Sequence, residues 1–532
     1  MTKTWIAECD RSHEICNVVG VNDRPSRLVL VSGTSIKLIE TVALTVMPPY
    51  ATLSYCWGKS PDLMLTDDNM ASFLEFIPMK RLPKTLRDAV EVTRKLSIDY
   101  IWIDALCIIQ GNKDDWLRES AKMHSVYGGS YVNIAAASAV DVTEGLFLKL
   151  PFYNGGFFAR TTTSNTDTVR NFYSVTAAKN ALQDYHLATR AWAIQEKLLS
   201  PRTLYFGDGG LSWECRCAFR SEFLPEGVPN LKYKSLLLCG TQPWEWVDIV
   251  RIFTKANLSF GADRLPALSG IAARQQQITG DSYLAGLWKS CLFEQLTWNL
   301  RENKSPLKPR PCWRAPTWSW ASVDGEASWR PVVSDRVVYH TKIIDAWTEI
   351  ASADPFGAVS AGELRLVCGT ILRGTFEVAA KGLHNGRPVE HVRLEGLPRP
   401  VRIDLDCFES ECSDTDGTVY FVPLYSGPTG NFLGSKTSNV KSSEPSKAHD
   451  NGGRREILAV QGLVLRTVGD GTGRFYRVGF FRYDNIERNG RDEYHNFIGL
   501  LNRGDTNVAE TMCVAIQPHD DDVDIRFILD VV

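Results

Sequence analysis

The chain has 532 residues, a formal net charge of −3 and an apolar fraction of 44%. This length is too great for one ordinary core, so we expect two or three domains. The near-neutral charge gives no global electrostatic case for nucleic acid or an anionic membrane as a partner. No apolar run reaches the length that spans a bilayer, and the N-terminus lacks the apolar region of a secretory signal.

The cysteines indicate the kind of cellular compartment in which the protein works. There are 13 of them, an odd number, and several lie in apolar runs, for example Cys56, Cys107 and Cys368. This pattern is typical of buried free thiols in a reducing environment rather than of a disulfide framework. We therefore expect a cytoplasmic protein.

A second group of cysteines raises the question of a metal. Cys9, His13 and Cys16 suggest zinc ligands, and the Cys215-Arg216-Cys217 segment would complete such a site. The spacing fits no well-attested zinc finger, however. The sequence therefore predicts a structural role for these residues without a metal ion.

The first predicted elements run from Tyr50 to Ala139. Residues 50–57 form a β-rich apolar run closed by Gly58, which indicates a buried strand. Residues 82–96 have the helical period, and residues 100–109 form a second apolar run with one acid inside it. A second helix is predicted from Asp114 to Tyr127, and residues 131–137 form a third short strand.

The order strand, helix, strand, helix, strand predicts an α/β domain. Both connections are long enough for crossovers, so we expect a parallel sheet with flanking helices. Ligands bind at the carboxyl ends of the strands in such sheets. Trp57-Gly58 and the segment after Asp104 are expected there.

The rest of the chain changes character twice. Residues 206–330 read as a helical, tryptophan-rich middle region, and residues 331–532 alternate like strands and predict a mostly β C-terminal region. Within it, residues 426–455 are rich in Gly, Ser, Lys and Asn and read as a flexible insertion. The predicted division is an N-terminal extension at 1–49, a first domain at 50–205, and these two later regions.

The motifs together resemble one family. They are residues 50–58, 82–85, 100–110, 115–127 and 190–202, followed by shorter blocks at 213–215, 283–288 and 315–322. In this order they resemble the fungal heterokaryon-incompatibility (HET) family. Ala191 departs from the glycine that members more often carry. The resemblance implies a domain similar to the TIR and flavodoxin-like folds.

The resemblance also implies a function. Members of the HET family act in allorecognition, in which fusion of genetically unlike fungal cells triggers programmed cell death, often through a protein partner or self-association. TIR domains are remotely similar, and several of them cleave NAD at the nicotinamide glycosidic bond. Fold alone does not imply function. The implied enzyme is a TIR-like NAD(P) glycohydrolase with NAD as substrate and no tightly bound cofactor.

Two alternatives to the enzyme stay open. One is a non-enzymatic signalling module that self-associates or binds a partner to trigger death. The other is an accessory or regulatory protein unrelated to incompatibility, which the ordinary charge and composition do not exclude.

Two acids are the catalytic candidates. Asp104 lies inside an apolar run, so its carboxylate needs hydrogen bonds or an opposite charge, either from backbone N–H groups or at a ligand cleft. Glu119 lies at the edge of the predicted buried helical face. By resemblance to the glutamate that follows a tryptophan in TIR domains, it is the catalytic acid that stabilises an oxocarbenium-like ribose. The alternative for Glu119 is an exposed residue pairing with Lys122 or Arg118.

Aromatic and polar residues at the end of the first strand are the candidates for binding the nucleotide. Ser54, Tyr55 and Trp57 offer a hydroxyl and stacking faces. We expect Trp57, Asp104 and Glu119 to converge around one cavity. Trp192, Gln195 and Glu196, in the second block, are assigned to an interface between the first and second regions.

Overall fold

A computed structural model gives the fold of most of the chain. It forms two compact units, one of Met1–Gly280 with Ser352–Ala358 and one of Asp281–Ala351 with Val359–Val532. The residues that the structure describes are 1–17, 24–33, 35–58, 63–147, 156–163, 166–173, 185–222, 225–227, 243–301, 307–329, 336–377, 383–384, 387–388, 390–407, 417–428, 458–469, 473–484, 490–503, 515–517 and 526–532.

The first unit is an α/β fold. Its helices are α1 (Thr2–Ser12), α2 (Glu14–Asn17), α3 (Met70–Glu75), α4 (Lys84–Lys95), α5 (Asp104–Cys107), α6 (Lys113–Ala121), α7 (Met123–Gly128), α8 (Ala191–Leu199), α9 (Pro243–Lys255) and α10 (Pro266–Thr279). Its strands are β1 (Arg27–Leu30), β2 (Lys37–Glu40), β3 (Tyr50–Ser54), β4 (Tyr100–Trp102), β5 (Val132–Ala136), β6 (Gly156–Thr163), β7 (Thr166–Tyr173), β8 (Arg202–Gly207), β9 (Gly210–Cys215) and β10 (Phe219–Ser221).

The sheet of this unit confirms the predicted parallel core and extends it. Its strand order is β10-β9-β8-β5-β3-β4-β1-β2, and β6 and β7 form a separate two-stranded sheet. The four central strands, β8, β5, β3 and β4, are parallel. The outer strands pair antiparallel. The predicted N-terminal extension therefore contributes two strands to this sheet.

The central strands are buried because both of their faces are covered. Every residue of β3 and β5 is buried, as expected for parallel strands with helices on both sides. α4 buries Leu86, Ala89 and Val90 with the predicted helical period. Chain order and sheet order differ at β3, since β4 lies on one side of it and β5 on the other. The carboxyl end of β3 is thus a topological switch point.

Two predicted elements are shorter than expected. The apolar run 100–109 is not one strand, because only Tyr100–Trp102 is extended and Asp104–Cys107 folds as α5. The helix predicted from Asp114 to Tyr127 is divided at Lys122 into α6 and α7. Hydrophobic periodicity does not separate a buried strand from a short buried helix. This is why β4 and α5 could not be told apart in the sequence and were predicted as one apolar run.

The second unit confirms the mostly β prediction. Its helices are α11 (Leu292–Gln295) and α12 (Gly490–Arg503). Its strands are β11 (Tyr283–Leu284), β12 (Leu287–Trp288), β13 (Trp298–Leu300), β14 (Ala327–Trp329), β15 (Val338–Tyr339), β16 (Thr341–Ile350), β17 (Val359–Cys368), β18 (Leu372–Glu377), β19 (Leu383–His384), β20 (Arg387–Pro388), β21 (Glu390–Leu394), β22 (Val401–Leu405), β23 (Thr418–Pro428), β24 (Leu458–Thr467), β25 (Arg474–Asp484), β26 (Ala515–Gln517) and β27 (Arg526–Val531).

Six of these strands close on themselves. β23, β18, β21, β22, β25 and β24 pair antiparallel in that order, and β24 returns to β23. Alternate residues such as Val419 and Phe421 enter one apolar core, to which α12 adds Phe497. Closure leaves no unpaired edge between these six strands. Residues 429–455 of the predicted insertion lie outside the described residues.

A buried ion pair lies in the second unit. Arg477 and Asp406 are both almost fully buried, and the guanidinium donates to the carboxylate at 2.9 Å. The same guanidinium donates to the carbonyl oxygen of Leu296 and lies 3.6 Å from the centroid of the Trp298 ring. These contacts join strands and loops that are distant in the sequence.

None of the helices in the described part of the chain combines the length and hydropathy that crossing a membrane requires.

Replacing Asp406 with alanine tests the buried ion pair between Arg477 and Asp406. Arg477 would keep its charge but lose its counter-ion in a buried site, so we expect the free energy of unfolding to fall by about 3–5 kcal/mol. Glu349→Ala, at an exposed position on β16, is the control and should change it by less than about 0.5 kcal/mol. Urea unfolding of both variants gives the comparison. Equal effects of the two substitutions would contradict the importance of the pair.

Candidate functional site

The site begins where two neighbouring parallel strands end. β3 ends at Ser54 and β4 ends at Trp102, and the two strands pair in parallel. The residues that follow them, Tyr55 to Trp57 and Asp104, therefore lie at the same edge of the sheet. This is the edge that the sequence predicts for ligand binding.

Trp57 and Asp104 are in direct contact, as expected. The indole Nε1–H of Trp57 donates to Oδ2 of Asp104 at 2.7 Å, and the backbone N–H of Ala105 donates to Oδ1 at 2.7 Å. The Tyr55 ring stacks beside the Trp57 ring, with 6.5 Å between centroids. Asp104 therefore combines both roles considered from the sequence, since it binds a backbone N–H and lies at the carboxyl edge.

Gly58 fixes the turn that presents Trp57. Its φ is +67°, and a Cβ on it would lie 2.4 Å from Cβ of Asp141. Only glycine combines this backbone conformation with this close approach. The Trp-Gly pair in the sequence is thus a structural requirement of the site.

A half-buried arginine and a second, buried acid complete the cluster. Arg190 directly precedes α8, and its guanidinium donates to the carbonyl oxygen of Tyr55. Glu196 lies on α8 with 4% of its surface exposed, and the hydroxyls of Ser54 and Tyr127 lie against its carboxyl group. One oxygen of Glu196, Oε2, has no hydrogen-bond partner within the described ranges.

The charges in this cluster shift one another's pKa values. Burial raises the pKa of Asp104 and of Glu196, and the positive charge of Arg190 only partly opposes this. Burial acts to lower the pKa of Arg190, but the carboxyl groups of Glu196 and Asp104 outweigh it and raise that pKa. The cluster therefore combines a permanent cation with two acids that bind protons more readily than usual.

A cavity of about 510 Å³ lies next to this cluster. Its volume is within the range of small-molecule pockets. Ser54 belongs to both the cluster and the cavity wall. The other lining side chains come from β5, β8, α8, α9 and neighbouring loops: Asn133, Ala135, Tyr185, Leu187, Ala188, Thr189, Ala193, Ile194, Lys197, Leu198, Tyr205, Ile249, Ile252, Lys255, Ala256 and Asn257.

Hydrogen bonds position side chains on the side of the cavity that the sheet forms. The side-chain amide of Asn133 donates to the Ser54 hydroxyl at 3.1 Å. The Tyr205 hydroxyl donates to Glu214 at 2.6 Å, and the Tyr185 and Tyr205 rings stack with 5.8 Å between centroids. The cavity thus combines aromatic faces with polar groups that are already positioned.

Glu119 lies elsewhere on the sheet. It is fully buried, and its carboxylate accepts from the Ser26 hydroxyl at 2.5 Å and pairs with Lys122 at 3.5 Å. In the part of the chain that the structure describes, no hydrogen bond or ion pair joins it to Trp57 or Asp104. The expected convergence of all three side chains around one cavity is thus corrected. Trp57 and Asp104 are in contact, and none of the three residues is among those that line the cavity described above.

The position of α6 explains this difference. Asp115 on α6 accepts two hydrogen bonds from Arg27 at the start of β1, at 2.6 and 2.7 Å. β1 pairs with β4 on the side away from β3. α6 therefore packs beside β1, and β4 separates β1 from β3.

Sequence reasoning did not assign Arg190 and Glu196 to the site. It placed Glu196 with Trp192 and Gln195 at an interface between regions. The available signal was that Gln195 and Glu196 lie in a largely apolar helix, which buries both of them almost completely. Buried charged groups need compensation, and the charge of Arg190, six residues earlier in the chain, acts on Glu196.

Comparison with protein families gives the identity of this domain. The family model described as Heterokaryon incompatibility protein (HET) matches residues 50–196. The chain carries a HET domain. A search of curated proteins and a search of solved structures each found no match.

The match places the cluster inside the HET domain. The matched residues begin with β3 and end at Glu196 on α8. Trp57, Asp104 and Arg190 lie between these limits. A HET domain implies a function of the heterokaryon-incompatibility type.

The pH dependence of stability tests the environment of Glu196. Its pKa is raised in the folded state, so its contribution to stability is complete below about pH 4.5 and is lost as the pH rises through the raised pKa. Relative to Glu196→Gln, the wild type should therefore lose thermal stability as the pH rises above about 4.5 and through the raised pKa of Glu196. Glu91→Gln, at an exposed position on α4, should follow the wild type. Parallel curves for wild type and Glu196→Gln would refute the raised pKa.

Proposed function

We propose that the HET domain binds a nicotinamide nucleotide such as NAD and cleaves its nicotinamide glycosidic bond, as part of a heterokaryon-incompatibility response. The observation that carries this proposal is the cluster of a buried Glu196 with the half-buried Asp104 and Arg190, next to a cavity at the carboxyl end of β3. Clustered acids with shifted pKa values beside a cavity are a common mark of a catalytic site.

The composition of the cavity supports a nucleotide ligand. Lys197 and Lys255 lie among its lining residues and carry the positive charge that suits phosphate groups. Tyr185 and Tyr205 offer aromatic faces for a base, and Ser54 offers a hydroxyl. Of the candidates that the sequence named for nucleotide binding, Ser54 lines the cavity, and Tyr55 and Trp57 follow it in the chain at the end of β3.

The proposed reaction needs little proton transfer. The bond between C1′ of the ribose and the pyridinium nitrogen breaks, and its electron pair returns to the ring, which leaves as neutral nicotinamide. Water then adds to C1′ and loses a proton. An ionised carboxylate stabilises the oxocarbenium-like ribose while this charge exists. Glu196 is the proposed carboxylate, and the positive charge of Arg190 favours its ionised form.

The similarity of HET domains to TIR domains supports the same reaction class by analogy. That similarity pointed to Glu119 as the catalytic acid. Glu119 already has a hydroxyl and a cation as partners, whereas Oε2 of Glu196 has no partner within the described ranges. We therefore place Glu196 before Glu119 in this role.

Nicotinamide release from NAD by the full chain tests the proposal. Wild type at high concentration should release nicotinamide, and Glu196→Gln should lower the rate by about 10²- to 10³-fold because the stabilising charge is removed. Asp104→Asn should lower it in the same direction. Glu91→Gln is the matched control and should leave the rate unchanged. Chromatography of the products gives the rates.

Two other outcomes would contradict the proposal in different ways. Loss of activity with Glu119→Gln but not with Glu196→Gln would indicate that the reaction takes place at Glu119, near Ser26, and not at Glu196. A Glu196→Gln protein that still triggers cell death while cellular NAD stays intact would favour the non-enzymatic signalling module.

A further inference from the structure

Four metal-ligating side chains come together in the first unit, away from the cavity. The ligand atoms of Cys9, His13, Cys16 and Cys215 all lie within 4.8 Å of one another. The three cysteines are at most 2% exposed, and none of them forms a disulfide. Sγ of Cys215 and Nδ1 of His13 are 3.4 Å apart.

The fold assembles this cluster from two distant segments. Cys9 lies in the last turns of α1, His13 follows that helix, and Cys16 lies on α2. Cys215 is the last residue of β9, about two hundred positions later. The local spacing is Cys-x₃-His-x₂-Cys, and the fourth residue comes only from tertiary structure. This explains why no finger pattern is visible in the sequence.

Ion pairs on both sides hold α1 in place. Arg202 on β8 donates to Asp10 at 2.6 Å, and Arg220 on β10 donates to Glu8 at 2.5 Å. The Tyr131 hydroxyl also donates to Asp10 at 2.6 Å. The four candidate ligands are therefore brought together by contacts that do not depend on them.

We propose that Cys9, His13, Cys16 and Cys215 bind a structural zinc ion. Three thiolates and one imidazole form a complete tetrahedral ligand set for zinc, with no position left for water or substrate. Ligand atoms around tetrahedral zinc lie about 3.5–3.8 Å apart, given Zn–S and Zn–N bonds of about 2.3 and 2.0 Å. The observed cluster needs only a small contraction to reach this geometry.

The surroundings suit the charge of such a site. Zinc with three thiolates and a neutral imidazole has a net charge of −1, which needs compensation when it is buried. The charge of Arg202 acts on Cys9, and the backbone N–H of Arg216 donates to the sulfur of Cys16. Cys217 is exposed and lies outside the four-residue cluster. The sequence prediction of no metal is thus replaced by this proposal.

The role of the ion is structural. It joins α1 and α2 to the end of β9, which is one of the outer, antiparallel strands of the sheet in the first unit. Zinc bound only by the folded chain adds its binding free energy to stability. The proposal is independent of the reaction assigned to Glu196.

Elemental analysis and native mass spectrometry of the full chain, purified without chelator, test the proposal. We expect one zinc ion per chain, and alkylation of Cys9, Cys16 and Cys215 that begins only after a chelator is added. Cys9→Ser and Cys215→Ser should lose the zinc. Cys312→Ser, at an exposed position, is the matched control and should keep it.

Substitution by cobalt separates a folding defect from a lost site. The wild type loaded with Co²⁺ should show the visible absorption of tetrahedral cobalt with thiolate ligands, and Cys312→Ser should show the same spectrum. A folded wild type without zinc after incubation with excess metal would overturn the proposal. A disulfide between any two of Cys9, Cys16 and Cys215 in the purified protein would overturn it as well.

Discussion

A single half-buried cation lies at the carboxyl end of β3. Arg190 donates to the carbonyl oxygen of Tyr55, and its charge acts on the carboxyl groups of Asp104 and Glu196. Without the arginine, Asp104 and Glu196 would lose a positive charge that favours their ionised forms. Without the acids, the guanidinium would lose the negative charges that raise its pKa. Arg190 directly precedes α8, so its hydrogen bond to Tyr55 also connects α8 to the end of β3.

The same constraint explains why the cavity is where it is. α8 begins directly after Arg190, and the backbone N–H of Ala191 donates to the carbonyl oxygen of Asn257 just beyond α9. Both helices thus lie over Ser54, Asn133 and Tyr205, which line the same cavity. The polar faces of the central strands lie on the cavity side, where parallel strands usually carry apolar side chains. That exception is what makes the cavity a candidate for binding a polar ligand.

Buried ion pairs recur in the chain, but they differ in what surrounds them. Arg27 and Asp115 fix α6 to β1, and Arg477 and Asp406 join strands of the second unit. Both of these arginines lie against backbone carbonyl oxygens that complete their hydrogen bonding. Glu196 instead leaves an oxygen without a partner in the described part of the chain. This difference is why the cluster at β3 is assigned to function and the others to stability.

The sequence by itself determined the elements that depend on local patterns. The buried strand that begins at Tyr50, the helix after Pro83, the parallel core and the β-rich second unit follow from periodicity and turn residues, which act over a few positions. Asp104 and Trp57 were found because they are the polar and aromatic residues at the predicted strand ends. The order of motifs identified the HET family.

Tertiary structure decided which of these residues meet. Glu119 and Glu196 both lie on helices after the central strands, and nothing local shows which one faces the end of β3. The hydrogen bonds between Arg27 and Asp115 connect α6 to β1. The hydrogen bond from Arg190 to the carbonyl oxygen of Tyr55 connects the start of α8 to the end of β3. Cys215 joins Cys9, His13 and Cys16 for the same reason. Buried charges and ligand sets are satisfied by partners distant in sequence, and the spacing between such partners leaves no pattern in the chain.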